Sequence, residues 1–259
     1  MDEGFVIERR GAVAVFRFDR PSQANALTRA MLLGLGRFAR EQGADAAVRA
    51  LVVTGAGKRH FCAGADLKER AGWDDEQVRA QLALYRSELG VLDRCSKPVI
   101  AAINGLAWGG GLEIALACDL RVADGGASFA LPEVTLGIIP GAGGTQRLTR
   151  ELGPARAKEL ILLGRPIDAN QALRFGLINR ISPGSSEVLD DAIAWIDPIV
   201  HGAPLAHRAA LEAIEAAQGD DASGMEAERR AYESLLGSED RREALRAFAE
   251  KRKPLFQGR

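Results

Sequence analysis

The chain has 259 residues, and its 34 lysines and arginines nearly balance its 35 aspartates and glutamates, for a formal charge of -1 at pH 7. This balance argues against a protein whose main task is to bind nucleic acid or an anionic lipid surface. Apolar residues make up 47% of the chain and charged residues 27%, a composition that excludes disorder as the main state and allows a large buried core.

The N-terminal half predicts alternating strands and helices. Short β-branched and aromatic runs at Phe5–Glu8 and Val13–Phe18 predict a hairpin, and apolar spacing predicts a helix over Thr28–Gln42 with Thr28 as its N-cap. The next predicted elements are a strand at Ala50–Thr54, a helix at Asp75–Asp93, a strand at Val99–Ile103, a short buried helix at Leu112–Cys118 and a strand at Leu120–Ala123. Such alternation is typical of an α/β core.

Beyond Arg150 the sequence predicts mainly helices. They cover Pro154–Leu163, Asp168–Phe175, Glu187–Ile199, Pro204–Gln218, Met225–Leu236 and Ser238–Lys253. No low-complexity linker precedes them. We therefore predict an α/β core over residues 1–190 and a helical C-terminal region over residues 191–259.

The segment Pro98–Cys118 is about as long as a membrane span and carries one charge, Glu113. A buried acid and the run Gly109–Gly111 both oppose a membrane helix, so we predict a strand, a glycine turn and a buried helix instead, and no membrane partner. Three glycines before a helix leave backbone amides available to an oxyanion, or they only permit close helix packing. Spacing alone supports both interpretations equally.

Two further segments combine small residues with an acid. Phe61–Leu67 contains Asp66, which is more typical of an N-cap than of a catalyst. Phe129–Leu148 begins near Glu133 and lacks both the Walker and the dinucleotide glycine patterns. Glu113 and Glu133, each in apolar and glycine-rich sequence, suit general acid and base catalysis on water, although salt-bridged or helix-start glutamates would give the same pattern.

Metal and serine chemistry lack sequence support. The three histidines form no cluster with metal-ligand spacing, and no GxSxG motif occurs, so we expect neither a metal site nor a serine triad. Cys62, Cys95 and Cys118 are widely spaced without CxxC pairing, which argues against a disulfide framework and favours a reducing compartment. The first residues show no export or import signal, and we expect a cytoplasmic protein.

Several ordered motifs resemble the crotonase, or enoyl-CoA hydratase, superfamily. They are FCAGADLKER at Phe61–Arg70, PVIAAING at Pro98–Gly105, WGGGLE at Trp108–Glu113, ACDLR at Ala117–Arg121 and IPGAGGTQR at Ile139–Arg147. The resemblance implies an α/β spiral of repeated strand-strand-helix units with a helical C-terminal trimerisation region. It also implies an acyl-CoA substrate, no cofactor other than the coenzyme A of that thioester, and a homotrimer or a hexamer built as a dimer of trimers.

The same resemblance assigns catalytic roles by motif position. The amides of Ala65 and Gly110 would hold the thioester oxygen, and Glu113 and Glu133 match the two acids of members that add water to a 2-enoyl-CoA. We therefore expect hydration or its reverse, with Glu113 activating water for attack at C3 and Glu133 delivering the proton to C2.

The resemblance also points to residues that contact coenzyme A. They are Asn25, Ala26, Ala63, Ala65, Asp66, Leu67 and Lys68, together with Phe248 and Lys251, which would reach a neighbouring subunit's ligand. Residues 240–259 hold seven lysines or arginines against three acids, a balance suited to phosphate groups but equally to a solvated helix face.

Within the superfamily, Phe61–Arg70, Leu116–Ala123, Ala157–Leu160 and Ala247–Arg252 are most similar to the methylglutaconyl-CoA hydratases of leucine metabolism. These enzymes interconvert 3-methylglutaconyl-CoA and 3-hydroxy-3-methylglutaryl-CoA. The alternatives are a broad short-chain enoyl-CoA hydratase of fatty-acid β-oxidation and a non-catalytic CoA-binding or RNA-binding module. Animal members bind AU-rich RNA through a lysine-bearing helix, but Thr28–Gln42 carries three arginines and no lysine. We expect no nucleic-acid partner.

Overall fold

The computed structural model describes residues 3–184, 187–217, 219 and 221–259. The described strands are β1 (Phe5–Arg10), β2 (Val13–Phe18), β3 (Ala50–Gly55), β4 (His60–Cys62), β5 (Val99–Ile103), β6 (Leu106–Trp108), β7 (Leu120–Ala123), β8 (Ser128–Ala130), β9 (Ile167–Asp168) and β10 (Arg180–Ile181). The described helices are α1 (Arg29–Ala44), α2 (Asp75–Asp93), α3 (Gly110–Leu116), α4 (Gly144–Leu163), α5 (Ala169–Phe175), α6 (Val188–Trp195), α7 (Asp197–Val200), α8 (Pro204–Ala216), α9 (Asp221–Leu235) and α10 (Glu239–Ala249).

The strands form two sheets. The larger has the order β1-β2-β3-β5-β7-β10, in which the predicted hairpin β1–β2 is antiparallel and the other pairs are parallel. The smaller has the order β4-β6-β8-β9, with only β8 and β9 antiparallel. Each of the pairs β3–β4, β5–β6 and β7–β8 places its first strand in the larger sheet and its second in the smaller, and a helix follows. This repeat confirms the expected strand-strand-helix architecture.

Strand alternation explains the two-sided core of the larger sheet. Phe16 and Phe18 point to one face, where they pack with Phe38 of α1 and Phe61. Val13 and Val15 of the same strand point to the other face. That face packs against α6, and its buried residues include Val13, Val15, Val52, Ile100, Val188, Leu189 and Ala192. The predicted boundary at residue 190 falls inside α6, and the division into two regions stays a prediction.

The segment of membrane-span length folds as β5, β6 and α3. The predicted helix Leu112–Cys118 actually covers Gly110–Leu116, and Gly111 in its first turn packs so closely on Cys62 that a Cβ there would overlap the Cys62 carbonyl. Within the described part of the chain, no helix has the length and apolar character needed to cross a membrane. The three cysteines are free thiols.

Several C-terminal predictions were wrong at the element boundaries. The element α4 is two helices that meet at Gly153, whose φ of 75° is not helical; the second is the predicted helix Pro154–Leu163, and the first, which begins at Gly144, was not predicted. The helix predicted at Glu187–Ile199 is two helices, α6 and α7, because Pro198 lacks the amide that would continue the first. Gln218, the predicted end of another helix, lies outside the described residues; α8 ends at Ala216.

Candidate active site

Glu113 lies on the buried helix α3 and is 3% exposed. Its Oε1 accepts hydrogen bonds from the amides of Ala142 and Gly144, both at 2.8 Å. A Cβ on residue 144 would lie 2.9 Å from that oxygen, so this approach requires glycine. Arg147 holds the loop in place, since it donates to the Ala142 carbonyl at 2.9 Å and bonds Asp93 of α2 through two nitrogens, each at 3.1 Å.

Glu133 begins the turn that follows β8. Its Oε2 is buried and has no hydrogen-bond partner among the described residues. Its Oε1 would lie 3.0 Å from a Cβ at position 109, where Gly109 adopts a φ of 51°. A buried carboxyl oxygen without a donor is costly in a folded protein and is typical of a group that acts on a ligand.

The surroundings of the two carboxyl groups differ in the hydrogen-bond donors they provide. Burial, with a smaller contribution from the charge of Glu113, raises the pKa of Glu133 to about 7, although one backbone hydrogen bond lowers it. Burial also raises the pKa of Glu113, but the amides of Gly144 and Ala142 stabilise its charged form. Because the two groups interact, they titrate as a pair. The two amides on Glu113 favour its carboxylate form, which suits a base, whereas the buried Oε2 of Glu133 has no donor, which suits a group that carries a proton.

Two backbone amides face the same space from different segments. The amides of Ala65 and Gly110 donate to no acceptor among the described residues. They are close to each other: a Cβ built on Gly110 would lie 3.8 Å from the Ala65 nitrogen, and one on Gly64 would lie 3.3 Å from the Gly110 nitrogen. Gly64 has a φ of 90°, which only glycine adopts readily. The geometry suits two donors converging on one oxygen.

A cavity of about 140 Å³, here called the inner cavity, brings these groups together. Its lining includes Ala65, Gly110, Glu113 and Glu133. The rest of the lining is mainly apolar and includes Leu82, Tyr85, Leu136, Ile138 and Ile139. A larger space of about 1150 Å³, the outer cavity, shares Arg70 and Leu82 with it and extends along α2. The structure thus assembles both predicted acids and both predicted amides in one site.

Sequence comparison agrees with this geometry. The profile of the family described as enoyl-CoA hydratase/isomerase matches residues 8–259. The chain belongs to the enoyl-CoA hydratase/isomerase family.

Relatives within the enoyl-CoA hydratase/isomerase family carry more specific names. The methylglutaconyl-CoA hydratase 1 of Pyricularia oryzae is 38% identical, over 96% of this chain and 84% of that protein. The short-chain-enoyl-CoA hydratase of Clostridium acetobutylicum is 40% identical, over 96% of this chain and 95% of that protein. The crystal structure of an enoyl-CoA hydratase from Bacillus anthracis superposes with a TM-score of 0.95 at 43% identity, covering 99% of this chain and 100% of that one.

The two N-terminal segments that were predicted to contact coenzyme A, residues 25–26 and 63–68, lie side by side. The Ala63 amide donates to the Ala24 carbonyl, and the Leu27 amide donates to the Gly64 carbonyl. Of the residues assigned there, Ala63, Ala65 and Leu67 line the inner cavity, whereas Asn25, Ala26, Asp66 and Lys68 do not. Lys68 is exposed.

The side chains of Asn25 and Asp66 are engaged within the protein. Asn25 is fully buried; its amide group donates to the Ala56 and His60 carbonyls and accepts from the Arg20 amide. Asp66 bonds the Arg20 guanidinium at 2.8 Å and accepts the amides of Lys68 and Glu69. Although burial acts in the opposite direction, these bonds hold the pKa of Asp66 below its ordinary value. Both side chains therefore shape the loop.

Phe248 and Lys251 lie apart from the site within one chain. Phe248 is 86% exposed on α10, and Lys251 follows that helix with a φ of 53°. Neither residue lines the inner or the outer cavity.

Sequence reasoning missed three contributors to this site. The amides of Ala142 and Gly144 hold Glu113, and Arg70 lines both cavities. The glycine-rich segment Gly141–Gly144 is evident in the sequence, but nothing in it shows that its amides donate to Glu113 of α3. Arg70 is the last residue of the motif Phe61–Arg70. Its position at the cavity depends on the path of the chain into α2, which the motif does not show.

Proposed function

We propose that the protein catalyses hydration of a 2-enoyl-CoA thioester and the reverse dehydration, with 3-methylglutaconyl-CoA and 3-hydroxy-3-methylglutaryl-CoA as its substrate pair. One observation carries the reaction class: the carboxyl groups of Glu113, held by two amides, and Glu133, with a buried oxygen that has no donor, share a cavity with two unpaired backbone amides. Addition of water to a conjugated thioester needs a base, an acid and an oxyanion site, and this cavity contains a candidate for each.

The amides of Ala65 and Gly110 form the oxyanion site. When water attacks C3, electron density moves through C2 onto the thioester oxygen, which becomes enolate-like. Both N–H groups donate to that oxygen, and their positions do not change during the reaction because the backbone fixes them. Donors arranged in advance are more effective than water, which would have to reorient.

The two glutamates move the protons. As the water oxygen bonds to C3, Glu113 takes one proton from it. Glu133 gives its proton to C2, so one water molecule is added and no electrons are exchanged with another reactant. Proton exchange with solvent then restores both carboxyl groups for the next turnover.

The choice of acyl group rests on similarity and is tested by kinetics. The motifs that resemble methylglutaconyl-CoA hydratases, and a relative of that name at 38% identity, support the proposed substrate. A relative at 40% identity named short-chain-enoyl-CoA hydratase supports the alternative, a broad short-chain enzyme. A higher kcat/KM on 3-methylglutaconyl-CoA than on crotonyl-CoA would support the first, and the reverse order the second.

We propose that the chain assembles as a homotrimer or a dimer of trimers. Large apolar side chains are exposed on the C-terminal helices, among them Ile214, Met225, Tyr232, Leu245 and Phe248. Exposed apolar surface of this extent is typical of a subunit interface. Light scattering coupled to gel filtration measures the mass, and a monomer at micromolar concentration would overturn this part of the proposal.

Glutamine substitutions test the catalytic roles, since glutamine keeps the shape of glutamate and cannot exchange the proton. Glu113→Gln and Glu133→Gln should each lower kcat for hydration by about 10²–10⁴. Glu88→Gln is a matched control, because Glu88 is a buried glutamate that pairs with Arg40 at 2.8 Å and does not line either cavity. Wild-type activity in Glu133→Gln would show that the assignment is wrong.

A further inference from the structure

Arg70 is the one basic residue that lines the inner cavity within the described part of the chain. It also lines the outer cavity, so its side chain lies where the two spaces meet. Glu113 and Glu133 line the same inner cavity; burial raises the pKa of Glu113, and the charge of Arg70 acts in the opposite direction. A cation in this position is available to an anionic group of the ligand.

The guanidinium of Arg70 is held by aromatic side chains. One nitrogen donates to the Tyr85 hydroxyl at 2.7 Å, and the group lies 5.3 Å from the Tyr85 ring centre and 5.8 Å from that of Trp73. No carboxylate lies within ion-pair distance of Arg70 among the described residues. Tyr85 is 4% exposed on α2, so it fixes the guanidinium from a buried position. Arg70 is therefore oriented while its charge remains unpaired.

The chemistry of the proposed substrate creates a need for such a cation. Its C3 carries a methylene group that ends in a carboxylate, two carbon–carbon bonds from the atom that water attacks. That carboxylate must enter a mainly apolar cavity that already holds two acidic groups. Without a paired cation, both desolvation and repulsion would oppose its binding.

We propose that Arg70 binds the terminal carboxylate of the acyl group and thereby selects acyl-CoA substrates that carry one. This assignment rests on the proposed function. Guanidinium suits the task because two of its N–H groups match the two oxygens of a carboxylate. The Tyr85 hydroxyl accepts a hydrogen bond from Arg70 and keeps its own hydrogen to donate to the same carboxylate. Arg70 is a specificity residue of the acyl pocket.

The test compares hydration of three thioesters: crotonyl-CoA, 3-methylcrotonyl-CoA and 3-methylglutaconyl-CoA. The methylcrotonyl compound has the branching of the proposed substrate without its carboxylate. Wild-type protein should show the highest kcat/KM for 3-methylglutaconyl-CoA. Arg70→Met should lower the ratio of this value to that for 3-methylcrotonyl-CoA by about 10–100-fold, since a hydrogen bond to a charged group is lost.

Two further variants keep the result interpretable. Arg70→Lys retains the charge without the paired N–H geometry, and its ratio should lie between those of wild type and Arg70→Met. Arg86→Met is the matched control, because Arg86 lies on α2 and lines only the outer cavity. Its ratio should equal that of wild type.

The outcomes separate the two proposals. If wild-type protein shows no preference for the carboxylated thioester, the proposed substrate is wrong and the role of Arg70 falls with it. If wild type shows the preference and both Arg70 variants keep it, only the role of Arg70 is overturned. If Arg70→Met is too unstable to assay, the Arg70→Lys ratio decides, and a ratio equal to that of wild type overturns the assignment. A ratio lowered equally in Arg86→Met would show a general effect of charge and would also overturn it.

Discussion

Replacing Gly64 with alanine tests whether the two amides act as a pair of donors. Gly64 has a φ of 90°, and a Cβ there would lie 3.0 Å from the Trp108 carbonyl oxygen and 3.3 Å from the Gly110 nitrogen. The added methyl group would therefore occupy space in front of the Gly110 amide or force that amide to move. In both cases one donor to the thioester oxygen is lost or misplaced.

The expected loss of activity is much larger than the expected loss of stability. Removing one donor of an oxyanion site lowers the rate by about 10²–10³. A side chain at this φ costs on the order of 1–3 kcal/mol of folding free energy. In a chain of this length, each kcal/mol lowers Tm by roughly 2–4 °C. Most Gly64→Ala protein should therefore be folded and almost inactive at 25 °C.

Gly176→Ala is the matched control for backbone strain. Gly176 follows α5 with a φ of 83°, and a Cβ there would have no neighbour within 4 Å. The two variants should show a similar fall in Tm by differential scanning calorimetry, but only Gly64→Ala should lose kcat/KM in the hydration assay. If Gly64→Ala hydrated the substrate as fast as Gly176→Ala, the amides of Ala65 and Gly110 would not form the oxyanion site.

Three more predictions concern charge. In the proposed reaction Glu133 must be protonated, so kcat/KM for hydration should fall as the pH rises above about 7; a flat profile from pH 6 to 9 would contradict this role. The pKa of Glu133 is about 7 in the folded state and 4.5 in the unfolded state, so the folded state binds this proton more tightly. The free energy of unfolding should therefore decrease as the pH rises from 4.5 to about 7. Glu133→Gln should therefore be more stable than wild type in urea at pH 8, and equal stability would refute the raised pKa. Arg121 is 3% exposed, pairs with Glu151 at 3.0 Å and donates to three carbonyl groups, so Arg121→Met should lose about 3–5 kcal/mol, with a smaller loss for Arg121→Lys. A loss below about 1 kcal/mol in urea titration would contradict that network.

The strands and helices with strong periodicity were predictable from the sequence. The hairpin of β1 and β2, the strands β3 and β5 and the helices α1 and α2 are each long enough for their apolar spacing to be read. The smaller sheet was not predicted from the residues alone, because β4, β6 and β8 have three residues each and show no period. Their pairing depends on the larger sheet, which sets where each short strand can lie.

The residues of the candidate site were likewise predictable from the sequence, but their contacts were not. Glu113 and Glu133 are visible in the sequence as isolated acids in apolar segments, and the glycines before α3 are visible as possible donors. The sequence leaves open whether such glutamates are catalytic or paired. The structure shows that Glu133 has a buried oxygen without a partner and that Glu113 is held by the amides of a distant loop. Contacts between segments far apart in the chain supply this information.

The proposed oxyanion donors have a further consequence for how this protein can change over generations. Both are main-chain N–H groups, and every amino acid except proline supplies one. Point mutations at Ala65 can therefore alter the side chain while the donor persists. By contrast, Leu82, Ile138 and Arg70 line the inner cavity, and each can be exchanged by a single mutation. We expect the range of accepted acyl groups to be readily altered by evolution, and the capacity to stabilise an enolate to be mutationally robust.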